Sequence, residues 1–337
     1  MNTASHPVAA PAVVRGRRWL TLLSILVVGV GMSALAWWTL QPHKPGFVEY
    51  PMAEHTDMPT AIAIAPDGTV WFSIDFSDAV GVIRNGKVER LPKGSRNAEP
   101  IGLGVDAAGH AWLADPPSVA IQRIAPNGEI TSFPLGTPIA RLGRLAVAPD
   151  GGVWFAESTA FSVTRLKDGE LKRHEISMVR GAPFGVAAAP DGSVWATLQA
   201  GNSLVRIAPD GTMAEFEVPT RGAAPTDIAI DASGAAWFLE FRANRIGRFK
   251  DGKFTEIDVP QERAALSGLA AAPDGAVWFG SLRGAALGRV RDGNVRMFRL
   301  PRENARPFSV AVDRSGNVWY ADITGWVGML PAGEAKR

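Results

Sequence analysis

Short apolar segments separated by turn residues recur along the chain from about residue 47 onward. The first set reads AIAIA, VWFSI and AVGVI, and Pro-Asp-Gly separates the first two segments. Runs of this length that are rich in Val, Ile, Phe and Trp are typical of β-strands, and the period of an amphipathic helix is weak throughout this region. The pattern predicts short β-strands joined by tight turns.

A tryptophan recurs at a nearly constant interval through the same region, at Trp71, Trp112, Trp154, Trp195, Trp237, Trp278 and Trp319. A glycine stands three positions before each copy, and a second glycine follows in each unit, at Gly86, Gly128, Gly169, Gly211, Gly252, Gly293 and Gly333. Each unit therefore contains two hairpins. Four strands in about 41 residues are the signature of a propeller blade. The sequence predicts an all-β, seven-bladed β-propeller whose tryptophans pack between blades.

The seventh unit lacks the fourth-strand pattern that ends the other six units, such as KVERLP at residues 87–92. A segment with that pattern, Phe47–Pro51, precedes the first full unit. We therefore expect it to form the outer strand of the seventh blade, paired with Trp326–Leu330, because a closed ring presents no open sheet edge. The propeller then spans residues 47–331, and a C-terminal tail follows at residues 332–337.

An uncharged apolar stretch at residues 19–40 follows Arg15, Arg17 and Arg18. As a helix it would be about 33 Å long, close to the hydrocarbon thickness of a bilayer. The basic flank predicts a cytoplasmic tail at residues 1–18, a transmembrane helix or signal anchor at 19–40, a linker at 41–46, and a propeller on the periplasmic or extracytoplasmic side of the inner membrane. The small residues of Ala34–Ala36 support the alternative of a cleaved signal peptide and a secreted propeller.

Composition excludes several classes of function. The chain has no cysteine, so it contains no disulfide scaffold, thiolate metal site or cysteine nucleophile. Four of the 35 Lys and Arg residues, and none of the 33 Asp and Glu residues, lie before residue 45. The remaining chain is therefore slightly acidic, and no nucleic-acid partner is expected.

Propeller geometry assigns the connections to two faces. Both hairpins of every blade lie on one face, the hairpin face, while the connections between strands two and three and the links between blades lie on the other, the loop face. We expect the channel mouth and the ligand contacts on the loop face, because variable loops on a rigid scaffold usually carry ligands. The candidate ligand-binding residues are Asp75, Glu99, Asp115, Glu157, Phe184, Asp227, Glu240, Arg263, Arg306, Phe308 and Asp322. Their arginines favour an acidic or carbonyl-bearing ligand.

Five of these candidates are acids that follow a repeat tryptophan by three or four positions, namely Asp75, Asp115, Glu157, Glu240 and Asp322. Carboxylates that converge around one mouth would hold Mg²⁺ or Ca²⁺, with Asp322 and Glu240 as the metal candidates. Alternatively, each acid pairs with an arginine of a neighbouring blade or caps its own loop. The second interpretation is the favoured one.

Two units, WFAESTAFSVTRLKDGELKRHEI and WFLEFRANRIGRFKDGKFTEIDVP, carry a recognisable family pattern. They resemble the repeats of the streptogramin B lyases, the virginiamycin B lyase family, which run Trp-Phe-Thr-Glu, then Asn-x-Ile-Gly-Arg, then a strand that ends in Pro. The resemblance covers about residues 47–330 and implies a seven-bladed fold. It also implies an activity, the opening of a cyclic depsipeptide at its ester by elimination, with a histidine base and Mg²⁺ held by acids.

The chain departs from the family at the positions that carry this chemistry. The family motif that leads into the last blade is close to Glu-Pro-His-Gly-Ile, whereas this chain has Arg306 at the acid and Phe308 at the base. Ile323 stands at a later glutamate position, next to Asp322, and the histidine motif of the preceding blade is also absent. Phenylalanine accepts no proton and arginine repels Mg²⁺, so we expect the family's fold without its reaction.

Two functions remain open from the sequence. The first is an envelope-tethered lyase-like propeller that binds a small ligand or a partner protein on its loop face. The second is a divalent-metal-dependent C–O lyase or lactonase-type hydrolase of a cyclic ester, which would use Asp115, Glu157, Glu240 and Asp322 with Mg²⁺ or Ca²⁺.

Overall fold

The structure is a computed structural model that describes residues 46–54, 56–95 and 100–336. Within these residues, 28 β-strands form seven four-stranded antiparallel sheets, which confirms the all-β seven-bladed propeller. The predicted tail at 1–18, the predicted span at 19–40 and most of the linker at 41–46 lie outside the described residues. The described part of the chain has no helix long and apolar enough to cross a membrane.

Each blade is a meander whose first strand packs against the first strands of its neighbours around the axis. Blade 1 comprises β2 (Met58–Ile64), β3 (Val70–Asp75), β4 (Ala79–Arg84) and β5 (Lys87–Pro92). Blade 2 comprises β6 (Leu103–Val105), β7 (Ala111–Asp115), β8 (Ala120–Ile124) and β9 (Ile130–Pro134). Blade 3 comprises β10 (Leu142–Val147), β11 (Val153–Glu157), β12 (Ser162–Lys167) and β13 (Glu170–Glu175). Blade 4 comprises β14 (Pro183–Ala188), β15 (Val194–Leu198), β16 (Ser203–Ile207) and β17 (Met213–Glu217).

The remaining blades follow the same order. Blade 5 comprises β18 (Pro225–Ile230), β19 (Ala236–Glu240), β20 (Arg245–Lys250) and β21 (Lys253–Asp258). Blade 6 comprises β22 (Leu266–Ala271), β23 (Val277–Ser281), β24 (Ala286–Arg291) and β25 (Asn294–Arg299). Blade 7 comprises β26 (Pro307–Val312), β27 (Val318–Asp322), β28 (Trp326–Leu330) and β1 (Val48–Pro51). The predicted C-terminal tail begins with a short helix, α1 (Ala332–Ala335).

The amino-terminal strand completes blade 7 as the sequence predicts. β1 pairs antiparallel with β28, and Val48 lies opposite Met329 while Pro51 lies opposite Trp326. β1 therefore occupies the outer position that the fourth strand holds in the other six blades. The ring closes by a strand taken from the opposite end of the propeller sequence, and β28 is thereby paired on both sides.

Side chains reinforce this closure. The Glu49 carboxylate accepts hydrogen bonds from the Tyr320 hydroxyl at 2.7 Å and from Arg302 Nη2 at 3.0 Å. The same nitrogen of Arg302 donates to Asp322 Oδ2 at 2.6 Å. Burial, followed by the nearby Glu49 charge, raises the pKa of Tyr320, so its hydroxyl remains a donor. One arginine thus joins the first strand of the ring to its last blade.

Each repeat tryptophan is buried between its own blade and the next one. Trp71 packs in one apolar cluster with Leu103 and Leu113 of blade 2. Trp319 packs in another with Ile62 and Phe72 of blade 1, so the seventh interface is built like the other six. Burial of such large rings at one register supplies much of the apolar area that holds neighbouring blades together. The predicted structural role of the tryptophans is confirmed.

In four blades the residue after the repeat tryptophan is an aromatic ring that lies opposite a glycine on the third strand. In blade 5, Phe238 pairs with Gly247, and a Cβ on this glycine would overlap the ring carbon Cζ of Phe238. In blade 4 the corresponding pair is Ala196 and Val205. The exchange is not a rule for the whole ring, because blade 3 pairs Phe155 with Thr164 and blade 2 pairs Leu113 with Gln122. Blades 1, 6 and 7 follow the first arrangement with Gly81, Gly288 and Gly328.

We expect Gly247→Val to lower the free energy of unfolding by about 3 kcal/mol, because the new side chain overlaps the Phe238 ring. The double variant Phe238→Ala/Gly247→Val copies the pair of blade 4 and should be more stable than Gly247→Val alone. Urea denaturation of the full chain, followed by tryptophan fluorescence, measures both. Phe238→Ala alone is the control and should cost about 3–5 kcal/mol. Additive losses in the double variant would contradict the proposed steric exchange.

Candidate functional site

The first strand of each blade passes the channel ten positions before the repeat tryptophan. Five blades carry small residues there, namely Ala61, Gly102, Gly185, Gly268 and Ser309. Blades 3 and 5 instead carry Arg144 and Asp227. Arg144 Nε donates to Asp227 Oδ1 at 2.6 Å, and Nη2 donates to Oδ2 at 3.1 Å. The two side chains are 13% and 10% exposed, so this two-point ion pair, the axial ion pair, is largely buried.

Three further blades contact the axial ion pair. Arg144 Nη1 donates to the Ile101 carbonyl of blade 2 at 3.1 Å. The Gly268 N–H of blade 6 donates to Asp227 Oδ2 at 2.9 Å. The Arg144 guanidinium also lies 5.5 Å from the ring centre of Phe308 in blade 7, which is a cation–π distance. The axial ion pair therefore links five blades across the loop-face end of the channel.

This arrangement places a largely buried ion pair where the sequence predicts the mouth of the channel. The Asp227 carboxylate accepts hydrogen bonds from Arg144 and from the Gly268 N–H, and the Arg144 guanidinium lies over the Phe308 ring. A cavity of about 690 Å³ lies at the other end of the axis, among hairpin turns that include Asp67, Asp106 and Asp313. The axis is thus closed by charge on the face where the sequence placed the ligand.

The acids that follow the tryptophans do not converge on the axis. Asp115 accepts from the buried Lys93 ammonium at 3.3 Å and from the Ser95 hydroxyl at 2.7 Å. Burial lowers the pKa of Lys93, while the Asp115 charge opposes that shift. Glu157 accepts from Arg173 Nε at 3.0 Å and from the Thr164 hydroxyl at 3.0 Å. These acids have local partners, as the favoured interpretation of the sequence expects.

Asp75 and Asp322 follow the same rule. Asp75 Oδ1 accepts from the next backbone N–H, that of Phe76, at 2.9 Å. Asp322 Oδ1 accepts from the backbone N–H groups of Arg306 and Thr324, each at 2.9 Å, while its other oxygen binds Arg302. Asp75 therefore caps its own loop, and Asp322 is saturated by protein donors.

The family's Mg²⁺ does not fit the residues at the start of blade 7. The two positions at which the resemblance places acidic ligands are occupied by Arg306 and Ile323, whose side chains offer no oxygen. The neighbouring Asp322 already accepts hydrogen bonds on both oxygens. Among the residues that the structure describes, no group of three or more His, Asp or Glu side chains is arranged to hold a metal ion. Asp322 and Glu240, the predicted metal pair, have separate surroundings.

Glu240 differs from the other acids because it lacks a donor. Its side chain is fully buried, and neither carboxylate oxygen has a hydrogen-bond partner among the described residues. Burial, followed by the charge of Glu256, raises the pKa of Glu240 to about 8. Glu256 itself accepts from the Thr220 N–H at 3.0 Å and from the Thr220 hydroxyl at 2.9 Å. Glu240 is therefore largely protonated near neutral pH.

The repeat shows which residue is different in blade 5. Arg173 in blade 3 stands at the repeat position that Glu256 holds in blade 5, and it binds Glu157. Arg302, on the link into blade 7, stands at the repeat position that Thr220 holds on the link into blade 5. Blade 5 therefore has an acid, Glu256, and a hydroxyl, that of Thr220, at two repeat positions that are arginines in blade 3 and in blade 7, respectively. Spacing alone did not identify this pair of acids, although alignment of the seven units does.

The remaining candidates lie apart from the axial ion pair. The Ile323 N–H donates to the Arg306 carbonyl at 3.2 Å, so Arg306, Asp322 and Ile323 meet at the start of blade 7. Arg263 is exposed on the link between blades 5 and 6, and Phe184 is half-buried in β14. Glu99 lies outside the described residues. The structure thus divides the predicted site into an axial group and separate inter-blade groups.

A closed ring of seven antiparallel sheets with the tryptophan–glycine repeat defines a seven-bladed propeller of the lyase type. The profile of the virginiamycin B lyase family matches residues 43–202 and residues 118–333. The chain belongs to the virginiamycin B lyase family. The predicted resemblance is therefore confirmed, and it extends over nearly the whole described ring.

Known proteins support this assignment at the level of fold. A virginiamycin B lyase of Nocardia farcinica (strain IFM 10152) is 35% identical over 190 residues, which are 56% of this chain and 65% of that relative. A catalytically inactive histidine-to-alanine variant of Staphylococcus aureus virginiamycin B lyase with quinupristin is similar at 23% identity and a TM-score of 0.79, covering 84% of this chain and 98% of that one. A streptogramin B lyase structure is 25% identical with a TM-score of 0.80, over 84% and 96% of the two chains.

We expect Glu240→Gln to stabilise the protein increasingly as the pH rises from 5 to 8. In the folded parent the pKa of Glu240 is raised to about 8, so the folded state keeps a proton that the unfolded chain loses above about pH 4.5, and the parent loses stability through that window. Glutamine does not titrate, so the variant should gain about 2–4 kcal/mol relative to the parent at pH 8. Urea denaturation at pH 5, 6, 7 and 8 measures the difference.

The matched control is Glu157→Gln, the equivalent acid in blade 3. It removes the carboxylate that binds Arg173 and should lower stability at pH 7. If Glu240→Gln and the parent show the same pH dependence, the buried proton on Glu240 is not the cause.

The axial ion pair gives a second prediction. Asp227→Ala leaves the Arg144 guanidinium buried without its counter-charge, and we expect a loss of about 3–5 kcal/mol in unfolding free energy. The double variant Arg144→Ala/Asp227→Ala should be more stable than Asp227→Ala, because the unpaired charge is gone. Arg141→Ala, an exposed neighbour, should change stability by less than about 0.5 kcal/mol. If the double variant has a lower unfolding free energy than Asp227→Ala, the unpaired charge of Arg144 is not the cause of the loss in the single variant.

Proposed function

We propose that this chain is an envelope-tethered, streptogramin lyase-like propeller that binds a carboxylate- or carbonyl-bearing ligand or partner on its loop face without the family's elimination chemistry. The observation that carries the proposal is the state of the catalytic positions. Phe308 stands at the base position with the Arg144 guanidinium over its ring. Arg306 stands at the acid position, and its own N–H is bound to Asp322.

An elimination at an ester needs a base that removes the proton α to the carbonyl and a positive group at the developing enolate oxygen. The phenyl ring of Phe308 accepts no proton. The carboxylates nearest to these positions are fully buried and bound to protein donors, as Asp322 is. The arginines of the loop face instead offer paired N–H donors, which suit carboxylates and carbonyls. Binding is therefore better supported than turnover.

The alternative of a metal-dependent lyase or lactonase has little support. The four acids on which it depends, Asp115, Glu157, Glu240 and Asp322, all have 0% exposed surface. A carboxylate without exposed surface contacts neither a substrate nor a solvent-borne metal ion in this conformation. Three of the four also accept hydrogen bonds from neighbouring side chains.

Tethering is part of the same proposal. Residues 19–40 are uncharged and long enough as a helix to span a bilayer, and they follow a basic tail. In the described ring, Val48 of β1 lies opposite Met329, near the hairpin end of β28. β1 thus begins on the hairpin side of the ring.

The test uses the full chain in detergent micelles. With quinupristin and Mg²⁺, mass spectrometry should detect no ring-opened product. The Nocardia farcinica relative, run in parallel, is the positive control. Thermal shifts with a panel of carboxylate-bearing compounds should identify a binder whose shift is lost in Arg263→Glu/Arg306→Glu. Opened quinupristin would contradict the absence of elimination, and a shift that survives the charge reversal would contradict the binding face.

A further inference from the structure

Blades 5 and 6 carry four exposed arginines in a repeated arrangement on the loop face. Arg221 and Arg263 stand on the links into the two blades at neighbouring repeat positions, 16 and 15 residues before the repeat tryptophan, and Arg242 and Arg283 each follow it by five residues. Within the described residues, none of the four guanidinium groups lies within 4.0 Å of a carboxylate. We call these four residues the arginine platform. Their charges are therefore available to a partner.

The backbone beneath the arginine platform is held in the same way in both blades. The Arg242 N–H donates to the Ala223 carbonyl at 3.0 Å, and the Arg283 N–H donates to the Ala264 carbonyl at 3.1 Å. Each link then turns through an alanine with positive φ, at 54° for Ala224 and 52° for Ala265. These bonds fix one link arginine beside one loop arginine in each blade. The backbone beneath the platform is thus ordered before a partner arrives, which lowers the entropy lost on binding.

The surface around the platform is positive on balance. The exposed acids Glu217 and Asp258 end fourth strands on the same face, but Asp258 is bound to Arg245 at 2.6 Å. The loop-face connections from residue 135 to residue 285 contain Arg141 and Arg180 in addition to the platform, but only one acid, Glu262, and no lysine. Arg180 lies 3.4 Å from Glu215, whereas Glu262 is exposed beside Arg263. A patch with an excess of positive charge attracts a partner of the opposite sign and accelerates its association. The partner of this surface is therefore acidic.

Apolar side chains accompany the arginines. Phe241 is 42% exposed next to Arg242, and Ile139, Met178 and Val179 are 69%, 73% and 92% exposed on the links of blades 3 and 4. Arginine, methionine and aromatic residues are enriched in protein–protein interfaces, while lysine is depleted. The guanidinium group also binds carboxylates in a two-point geometry that an ammonium group lacks. A protein segment fits this composition better than a polyanion that is bound through charge alone.

We propose that the arginine platform docks an acidic segment of a partner protein, with an apolar side chain of that segment packed beside Phe241. The inference rests on the proposed binding function of the loop face and names the class of partner. Carboxylates of the segment pair with the platform arginines of blades 5 and 6. The slightly acidic charge of the chain beyond residue 45 restricts the attraction to this patch and disfavours nucleic acid.

The experiment selects ligands from phage-displayed random dodecapeptides on the full chain in detergent micelles. We expect enriched peptides to contain several Asp or Glu residues and at least one large apolar residue. A fluorescein-labelled copy of the leading peptide should bind the parent, and Arg221→Glu/Arg242→Glu/Arg263→Glu/Arg283→Glu should weaken its Kd at least about 100-fold. The four-fold Arg→Gln variant, which adds no negative charge, should weaken it less but clearly.

Matched controls separate the platform from net charge and from folding. Lys87→Glu/Lys172→Glu/Lys253→Glu/Lys336→Glu changes the net charge by the same amount at exposed positions outside the loop face and should leave the Kd within about 3-fold. Circular dichroism and the thermal midpoint of each variant report folding. Equal binding by the platform variant, or enrichment of peptides without acids, would overturn the proposal.

One arm tests a different occupant. Dihexanoylphosphatidylglycerol should not displace the labelled peptide at equal concentration, and displacement would assign the platform to lipid headgroups instead. The outcome is distinguishable from that of the proposed function. Opened quinupristin would end the claim of a non-catalytic protein without affecting the peptide result, whereas failed peptide binding would leave carboxylate binding at Arg306 to stand.

Discussion

Closure of the ring is the constraint on which the rest of the structure depends. Each blade buries its tryptophan against the next blade, so the last one has a partner only if the first blade lies beside it, as Trp319 does with Phe72. β1 completes that last sheet through backbone pairing with β28. Arg302, bound to Glu49 and Asp322, adds charge-assisted hydrogen bonds at the junction. A ring held this way positions every loop on a fixed frame.

A fixed frame makes each departure from the repeat informative. Because the seven blades provide seven copies of every position, a residue can be compared with six equivalents in the same molecule. Arg144 and Asp227 stand out from small residues at the channel, and Glu256 stands out from Arg173 beside a buried acid. Both departures place charge where burial makes it costly unless it is paired or neutralised. In the axial ion pair, the opposite charges of Arg144 and Asp227 offset the cost of burial. Glu240 avoids that cost by keeping its proton.

The fold could be predicted from the sequence because its determinants are local and periodic. Turn glycines, short apolar segments and the tryptophan interval specify blade, strand count and order, and even the borrowed strand Phe47–Pro51 carries the pattern of its place. The site could be predicted only in part. Asp227 was predicted as a ligand contact, whereas the structure places it in an ion pair with Arg144, which is distant in sequence and lies in a blade that is not its neighbour. Spacing reports register within a blade, whereas contacts across the axis depend on side-chain length and direction.

The buried acids show the same limit, because a carboxylate at the end of the second strand turns into the gap between blades, where links supply donors such as Ser95 for Asp115. An acid that recurs at the same position in several blades therefore indicates a polar group that is hydrogen-bonded at each interface between blades. It does not imply that these acids meet at the axis.

The proposed loss of the reaction and the retained frame share one physical basis. An elimination of the kind that the resemblance implies needs a base, a metal and a substrate within hydrogen-bond reach of one another, and Phe308 supplies no base at its position. Binding by charge needs only donors on an ordered surface, and the ring orders its outer links by backbone bonds that no side chain has to supply, as at Ala223 and Ala264. With the axis filled by Arg144, the exposed chemistry of the loop face lies on these links. A propeller of this family is thus able to change its ligand by exchanging residues at link positions while the inter-blade core stays as it is.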